Sequence, residues 1–110
     1  MDERLSDEFV RVCLADEFPE GEKLLLEIND LGIVLVHCLE GFFAVEDVCT
    51  HDQAPLGEGE HEGCELICPR HGARFDARNG NATRLPAVQP IRTFPTRIVD
   101  GWIEIGLPAA

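Results

Sequence analysis

The sequence predicts an antiparallel all-β sandwich or barrel carrying a small inserted subdomain, and three observations lead there. The apolar runs are short and filled with β-branched residues, as in Ile33-Val34-Leu35-Val36 and Thr96-Arg97-Ile98-Val99. Gly (10) and Pro (7) punctuate the chain too often for a long uninterrupted helix. The segment from Cys49 to Gly80 breaks the strand pattern and is rich in Gly, Pro, Cys and His instead. At 110 residues and 12.2 kDa, with 45% apolar residues, the chain suffices for one small core. We therefore expect a single domain over 1–110, with the inserted subdomain at 48–80.

Taken in order, Phe9–Leu14 reads as the first strand. Lys23–Ile28 and Ile33–Leu39 flank Asn29-Asp30-Leu31-Gly32, a natural turn, and Glu40-Gly41 leads into Phe42–Val45, so three strands form a meander within about forty residues. Within the inserted segment, Cys64–Ile67 and Arg74–Asp76 are short and apolar enough for small strands. Near the C-terminal end, Thr96–Val99 and Trp102–Ile105 bracket Asp100-Gly101, a two-residue loop suited to the positive φ of a type I′ turn. No internal repeat and no low-complexity stretch is visible.

The net charge of −12 disfavours nucleic acid and anionic lipid surfaces and favours basic partners. The charge is polarised. Residues 1–65 hold 18 acids and three bases, whereas residues 66–110 hold three acids and six arginines. In so small a domain this is a polarised surface, serving either recognition or solubility, rather than a domain boundary. No apolar run approaches the roughly 20 residues of a membrane span, and the acidic start MDERLSDEFV is unlike a signal peptide. A soluble, cytoplasmic protein is the expectation. Five cysteines (Cys13, Cys38, Cys49, Cys64 and Cys68) are an odd number without an export signal, which argues against a disulfide framework and for metal binding.

Cys49-Thr50-His51 and Cys68-Pro69-Arg70-His71 each put one thiolate and one imidazole on a tight loop, with 16 residues between His51 and Cys68. Two sulfur and two nitrogen ligands suit either one tetrahedral zinc or a 2Fe-2S cluster with two histidines on one iron. Zinc fingers commonly place both cysteines before both histidines, but here the order alternates Cys, His, Cys, His. If the cysteines take one iron and the histidines the other, each loop grips both irons.

These motifs, with the flanking run LPAVQPIRTFPTRIVDGWIEI, resemble the Rieske family and more narrowly its small soluble ferredoxins, over the whole chain. The resemblance implies Cys49 and Cys68 on a buried iron and His51 and His71 on an exposed one. It also implies an electron carrier rather than an enzyme, taking one electron at a time from an NAD(P)H-dependent flavin reductase to a terminal oxygenase, often one that hydroxylates aromatic rings. A monomer is expected. Two ferric ions, two sulfides and two thiolates sum to zero, so such a cluster accepts an electron more readily than a four-thiolate dianion and has a higher potential. High-potential members carry an extra cysteine, a serine and a tyrosine in the second motif. Here those positions are Arg70, Ala73 and Phe75, and the first loop has Ala54 where the disulfide partner would stand. Without those sulfur-directed donors, the potential is expected near the low end of the histidine-ligated range, on the order of −150 mV. Backbone N–H groups of both loops are expected to serve the sulfides.

Other members of the same family, namely accessory subunits like those of nitrite reductases or proteins serving iron-sulfur assembly, are the nearest alternatives. A zinc-stabilised interaction module is the alternative from another class. A second, mononuclear iron is not supplied, because only His37 and His61 remain after cluster ligation. His37 and His61 read as core or surface residues, and Cys13, Cys38 and Cys64 as buried strand residues. Trp102 and the phenylalanines read as core, and Arg70 and Arg74 as solvated charge or as a contact for an acidic partner.

Overall fold

The structure, a computed structural model, describes residues 8–49, 55–70 and 72–108. The described strands are β1 (Glu8–Leu14), β2 (Lys23–Ile28), β3 (Leu31–Cys38), β4 (Gly41–Glu46), β5 (His61–Glu62), β6 (Glu65–Ile67), β7 (Arg74–Asp76), β8 (Ala82–Arg84), β9 (Thr93–Phe94), β10 (Thr96–Val99) and β11 (Trp102–Leu107). They make three antiparallel sheets ordered β1-β11-β10, β2-β3-β4-β9 and β5-β6-β7-β8. A single 3-10 turn, Ala15–Glu17, is the helical element among the described residues, and none of their helices is long and apolar enough to cross a membrane.

The expected meander is β2-β3-β4. Its first turn is tighter than Asn29–Gly32: Asn29 and Asp30 alone have positive φ (53° and 66°), so β3 begins at Leu31. Short polar side chains tolerate that conformation. The Asp100-Gly101 turn has φ of 53° and 84° and joins β10 to β11 as expected.

β3 explains how the layers stack. Strand side chains alternate between faces, so Ile33 and Leu35 point one way and Val34 and Val36 the other, yet all four are fully buried. Ile33 and Leu35 join Phe18, Ala44, Phe94, Ile103, Ile105 and Leu107 in a core between the first two sheets. Val34 and Val36 join Val45, Leu56, Leu66, Phe75, Ala87 and Ile91 in a second core beneath the third sheet. The unbroken apolar run is thus the signature of a strand covered on both sides.

β9 and β10 flank Pro95, where the chain leaves the edge of the second sheet for the first. Proline has no N–H to lose from a ladder at such a corner. On the outer face of β11, the buried Glu104 carboxylate accepts from Arg97 Nε at 2.8 Å and Arg11 Nε at 3.3 Å. These guanidiniums, Arg97 first, hold its pKa below the usual glutamate range.

Several expectations need correction. Cys38 and Cys64 are joined by a disulfide with Cα atoms 5.4 Å apart, and Cys64 lies in the turn before β6 rather than in a strand. An odd cysteine count does not forbid one bridge. This one exists because the end of β3 packs under the third sheet, which local pattern does not reveal. Cys13 lies in β1, where burial and then Glu17 raise its thiol pKa. Trp102 is only partly buried beneath Arg11, and of the phenylalanines Phe18, Phe75 and Phe94 are fully in the core.

Candidate metal centre

The first motif loop crosses from β4 of the second sheet to β5 of the third, and the second is the hairpin connection between β6 and β7. The second, between β6 and β7, is closed by its own backbone: Cys68 N–H donates to Ala73 O at 2.7 Å and Gly72 N–H to Cys68 O at 3.0 Å. Gly72 has φ +76°, a conformation that a residue with a Cβ rarely adopts. The first loop, between β4 and β5, is closed by a side chain. Asp47 Oδ1 accepts from the N–H groups of Leu56 (2.8 Å) and Gly57 (2.6 Å), while Asp47 N–H bonds Gly32 O in β3 (2.9 Å). One carboxylate therefore pins both ends of the segment that carries Cys49.

The two loops touch. Ile67 N–H donates to Glu60 O at 2.9 Å, and Gly59 packs so tightly on the residue before Cys68 that an added Cβ would lie 2.1 Å from Ile67 O. Gly57 is as confined, with its virtual Cβ 2.0 Å from Leu25 Cδ2 and 2.8 Å from Val34 Cγ2. Lys23 Nζ, from β2, bonds Gly59 O at 2.6 Å.

Cys49 and Cys68 are both buried (0% and 1% exposed), lie outside the disulfide, and share the second core with Leu56, Leu66, Ala73 and Phe75. Two thiols sequestered in one apolar cluster at the bases of two abutting loops form a donor set that fits a thiolate-bound metal group. His51 and His71 lie outside the described residues, as does Ala54. A cleft of about 420 Å³ opens beside Cys68, Pro69 and Gly72 and is rimmed by Glu58 and Glu60. The Cys68 and Gly72 amides are spent inside their own loop, so of the expected backbone donors those two are committed elsewhere.

The remaining candidates are engaged within the fold. His37 Nδ1 donates to Phe18 O at 2.7 Å and its ring stacks 4.0 Å from Phe42, while His61 Nε2 donates to Gly21 O at 2.9 Å. His61 lies in the two-residue β5 rather than in a loop. Arg74 is partly exposed and pairs at the surface of the third sheet with Glu62 (2.7 Å) and Glu65 (3.2 Å). Arg70 is exposed. Asp76 is buried and accepts from Arg78 through Nε (2.9 Å), Nη2 (2.8 Å) and backbone N–H (2.9 Å), which holds its pKa below the usual aspartate range. Among the described residues, Cys38, Glu40 and Cys64 are the one trio whose possible metal-donor atoms all lie within 4.8 Å, and its two sulfurs are bonded to each other.

Sequence reasoning missed Asp47, Gly57 and Gly59. The available signal was an acid two residues before Cys49 followed by glycines without an obvious turn partner, and only the approach of the two loops gives it meaning.

Residues 8–95 match the family described as Rieske 2Fe-2S domain. The chain is 35% identical over 104 residues to the ferredoxin component of the p-cumate 2,3-dioxygenase system of Pseudomonas putida, covering 93% of this chain and 88% of that one. It is 40% identical over 95 residues to the ferredoxin subunit of 3-phenylpropionate/cinnamic acid dioxygenase of Photorhabdus laumondii, covering 86% and 90%. Among solved structures, the ferredoxin of carbazole 1,9a-dioxygenase from Nocardioides aromaticivorans superposes with a TM-score of 0.83 at 28% identity, over 92% of this chain and 98% of that one.

Proposed function

The chain belongs to the Rieske 2Fe-2S domain family, whose cofactor is a 2Fe-2S cluster, and on that premise we propose that it carries single electrons from an NAD(P)H-dependent flavin reductase to a terminal oxygenase. Its full-length similarity to ferredoxin components of dioxygenase systems, which are electron carriers rather than enzymes, supports this reading. The observation that carries it is the burial of Cys49 and Cys68 together at the bases of two touching loops.

We assign the cluster to Cys49, His51, Cys68 and His71, with residues 48–80 as the cluster-binding subdomain of a single domain spanning 1–110. When bound, the cluster supplies a reversible one-electron centre of near-neutral charge. The protein's part is positional. Asp47 holds the first loop closed, the Cys68–Ala73 and Gly72–Cys68 bonds close the second, and Leu56, Leu66 and Phe75 exclude water from the two thiols. The acidic surface and the Glu58 and Glu60 rim suit a partner with a basic docking face. We assign the carrier to the cytoplasm, as a monomer.

The test is anaerobic purification followed by iron and sulfide analysis, visible spectroscopy and reconstitution with candidate reductases and oxygenases. The expected protein is red-brown, bleaches on reduction, and is required for NAD(P)H-driven product formation. A colourless chain holding zinc, or turnover that is the same without the chain, overturns the proposal.

A further inference from the structure

The Cys38–Cys64 pair borders the same core as Cys49 and Cys68 but is not among the proposed cluster ligands, and its surroundings provide for two chemical states. Cys38 ends β3 and Cys64 lies 26 residues on, in the turn between β5 and β6, so the disulfide ties the second sheet to the third and closes a covalent ring around Cys49 and the first loop. Both cysteines border an open cleft of about 490 Å³, with Glu20, Glu40, His61, Glu65 and Arg78 on its walls. Both residues line this cleft although they are only 3% and 7% exposed, so the cleft is the side from which a small reagent would approach the pair.

Glu40 Oε1 lies 3.1 Å from Cys64 Sγ. A disulfide sulfur has no hydrogen to donate, so this contact becomes a hydrogen bond only when Cys64 is a thiol. The other carboxylate oxygen, Oε2, is held by Arg78 Nη1 at 3.4 Å, and Arg78 is clamped on Asp76, one end of β7. An oriented base thus stands beside one sulfur of the pair. The oxidised state has the covalent tie, and the reduced state has the S–H···carboxylate bond.

We propose that Cys38 and Cys64 are a peroxide-oxidisable dithiol, and that its closure to the disulfide locks the first motif loop to the end of β3. The Cys64 proton passes to Glu40 and the thiolate attacks one oxygen of hydrogen peroxide. The O–O bond breaks, the departing hydroxide takes the proton as water, and Cys64 becomes a sulfenic acid. Cys38 sulfur then attacks the Cys64 sulfur and the S–O bond breaks. The hydroxide leaves with the Cys38 proton as a second water. Two thiols lose two electrons and one peroxide becomes two waters, and an external dithiol reverses the change by exchange. Only the consequence for a cluster loop rests on the cluster reading.

The test uses the whole chain as purified, reduced with dithiothreitol, desalted anaerobically, exposed to stoichiometric hydrogen peroxide, alkylated and analysed by peptide mass spectrometry. The expected product is a Cys38–Cys64 crosslinked peptide lighter by two hydrogens, which dithiothreitol reopens in the folded protein. Glu40→Gln slows closure about a hundredfold, whereas Glu20→Gln in the same cleft leaves the rate unchanged. Cys38→Ser leaves a Cys64 sulfenic acid that dimedone traps. Both cysteines remaining alkylatable after peroxide overturns the inference, as does a bridge that dithiothreitol cannot open without unfolding. Iron and sulfide content, measured on the same samples, separates either failure from failure of the electron-carrier reading.

Discussion

Replacing Gly59 with alanine tests how closely the two motif loops must approach. The added Cβ would lie 2.1 Å from Ile67 O, 3.0 Å from Pro69 Cδ and 3.2 Å from Pro69 N. A carbon normally stands about 3.3 Å or more from a carbonyl oxygen, so the segments must part by about 1 Å. The obstacle is backbone on both sides and no side chain can swing away. The same movement would stretch the Ile67 N–H to Glu60 O bond, now 2.9 Å, past hydrogen-bonding range. Losing a partly exposed backbone bond costs about 0.5–1.5 kcal/mol, and overpacking adds about 1–3 kcal/mol. A total of about 1.5–4.5 kcal/mol in a domain of this size lowers Tm by roughly 6–18 °C. Because metal sites tolerate shifts of only about 0.2 Å, iron and sulfide content is expected to fall as well. Thermal melts followed by circular dichroism, with iron analysis on the same samples, read both effects. Gly32→Ala is the control, since its Cβ would meet only Asp47 Cβ at 3.4 Å. A Gly59→Ala protein that melts within a few degrees of the parent with full iron content would refute the reasoning.

Asp47→Ala removes the acceptor shared by the Leu56 and Gly57 amides and is expected to cost about 2–5 kcal/mol in urea titration. Asp47→Asn, which keeps one oxygen, should fall between it and the parent, and an Ala variant as stable as the parent would show that the loop closes without the carboxylate. Asp76 and Glu104 have folded pKa values depressed by Arg78 and by Arg97 with Arg11. Their contribution is therefore complete above the unfolded carboxylate pKa near about 4 and is lost as pH falls through the lower folded values. Urea midpoints should drop on acidification below about pH 4, and Asp76→Asn should flatten that drop. An unchanged slope in the variant would remove Asp76 from the account. Redox titration is expected to give a midpoint near the low end for histidine-ligated clusters, on the order of −150 mV, and a clearly positive value would contradict the absence of hydroxyl donors at Ala73 and Phe75. Electron transfer to a partner should slow as salt rises from low to physiological strength, and rates flat across that range would dismiss steering by the acidic surface.

The features legible in the chain were those set by neighbours in sequence. Lys23–Ile28 and Thr96–Val99 begin and end where the alternation of side chains and the turn residues indicate, because strand periodicity and positive-φ turns are local properties. The paired Cys-x-His and Cys-x-x-His motifs pointed to the family for the same reason: each loop carries its ligand pair within a few residues. The strands β5, β8 and β9 are two or three residues long and exist only because a partner strand lies beside them, so nothing in their own composition marks them. The Cys38–Cys64 bridge, the Asp47 clasp and the space denied to a side chain at Gly59 all depend on segments 8 to 26 residues apart meeting at ångström distances. The amino-acid order by itself determined which elements form and which side chains suit a metal centre. Which buried cysteines bond, which carboxylate holds the loop and how near the two loops lie were decided only when three sheets packed around β3, because such contacts depend on the spatial arrangement of the whole chain rather than on any residue's neighbours in sequence.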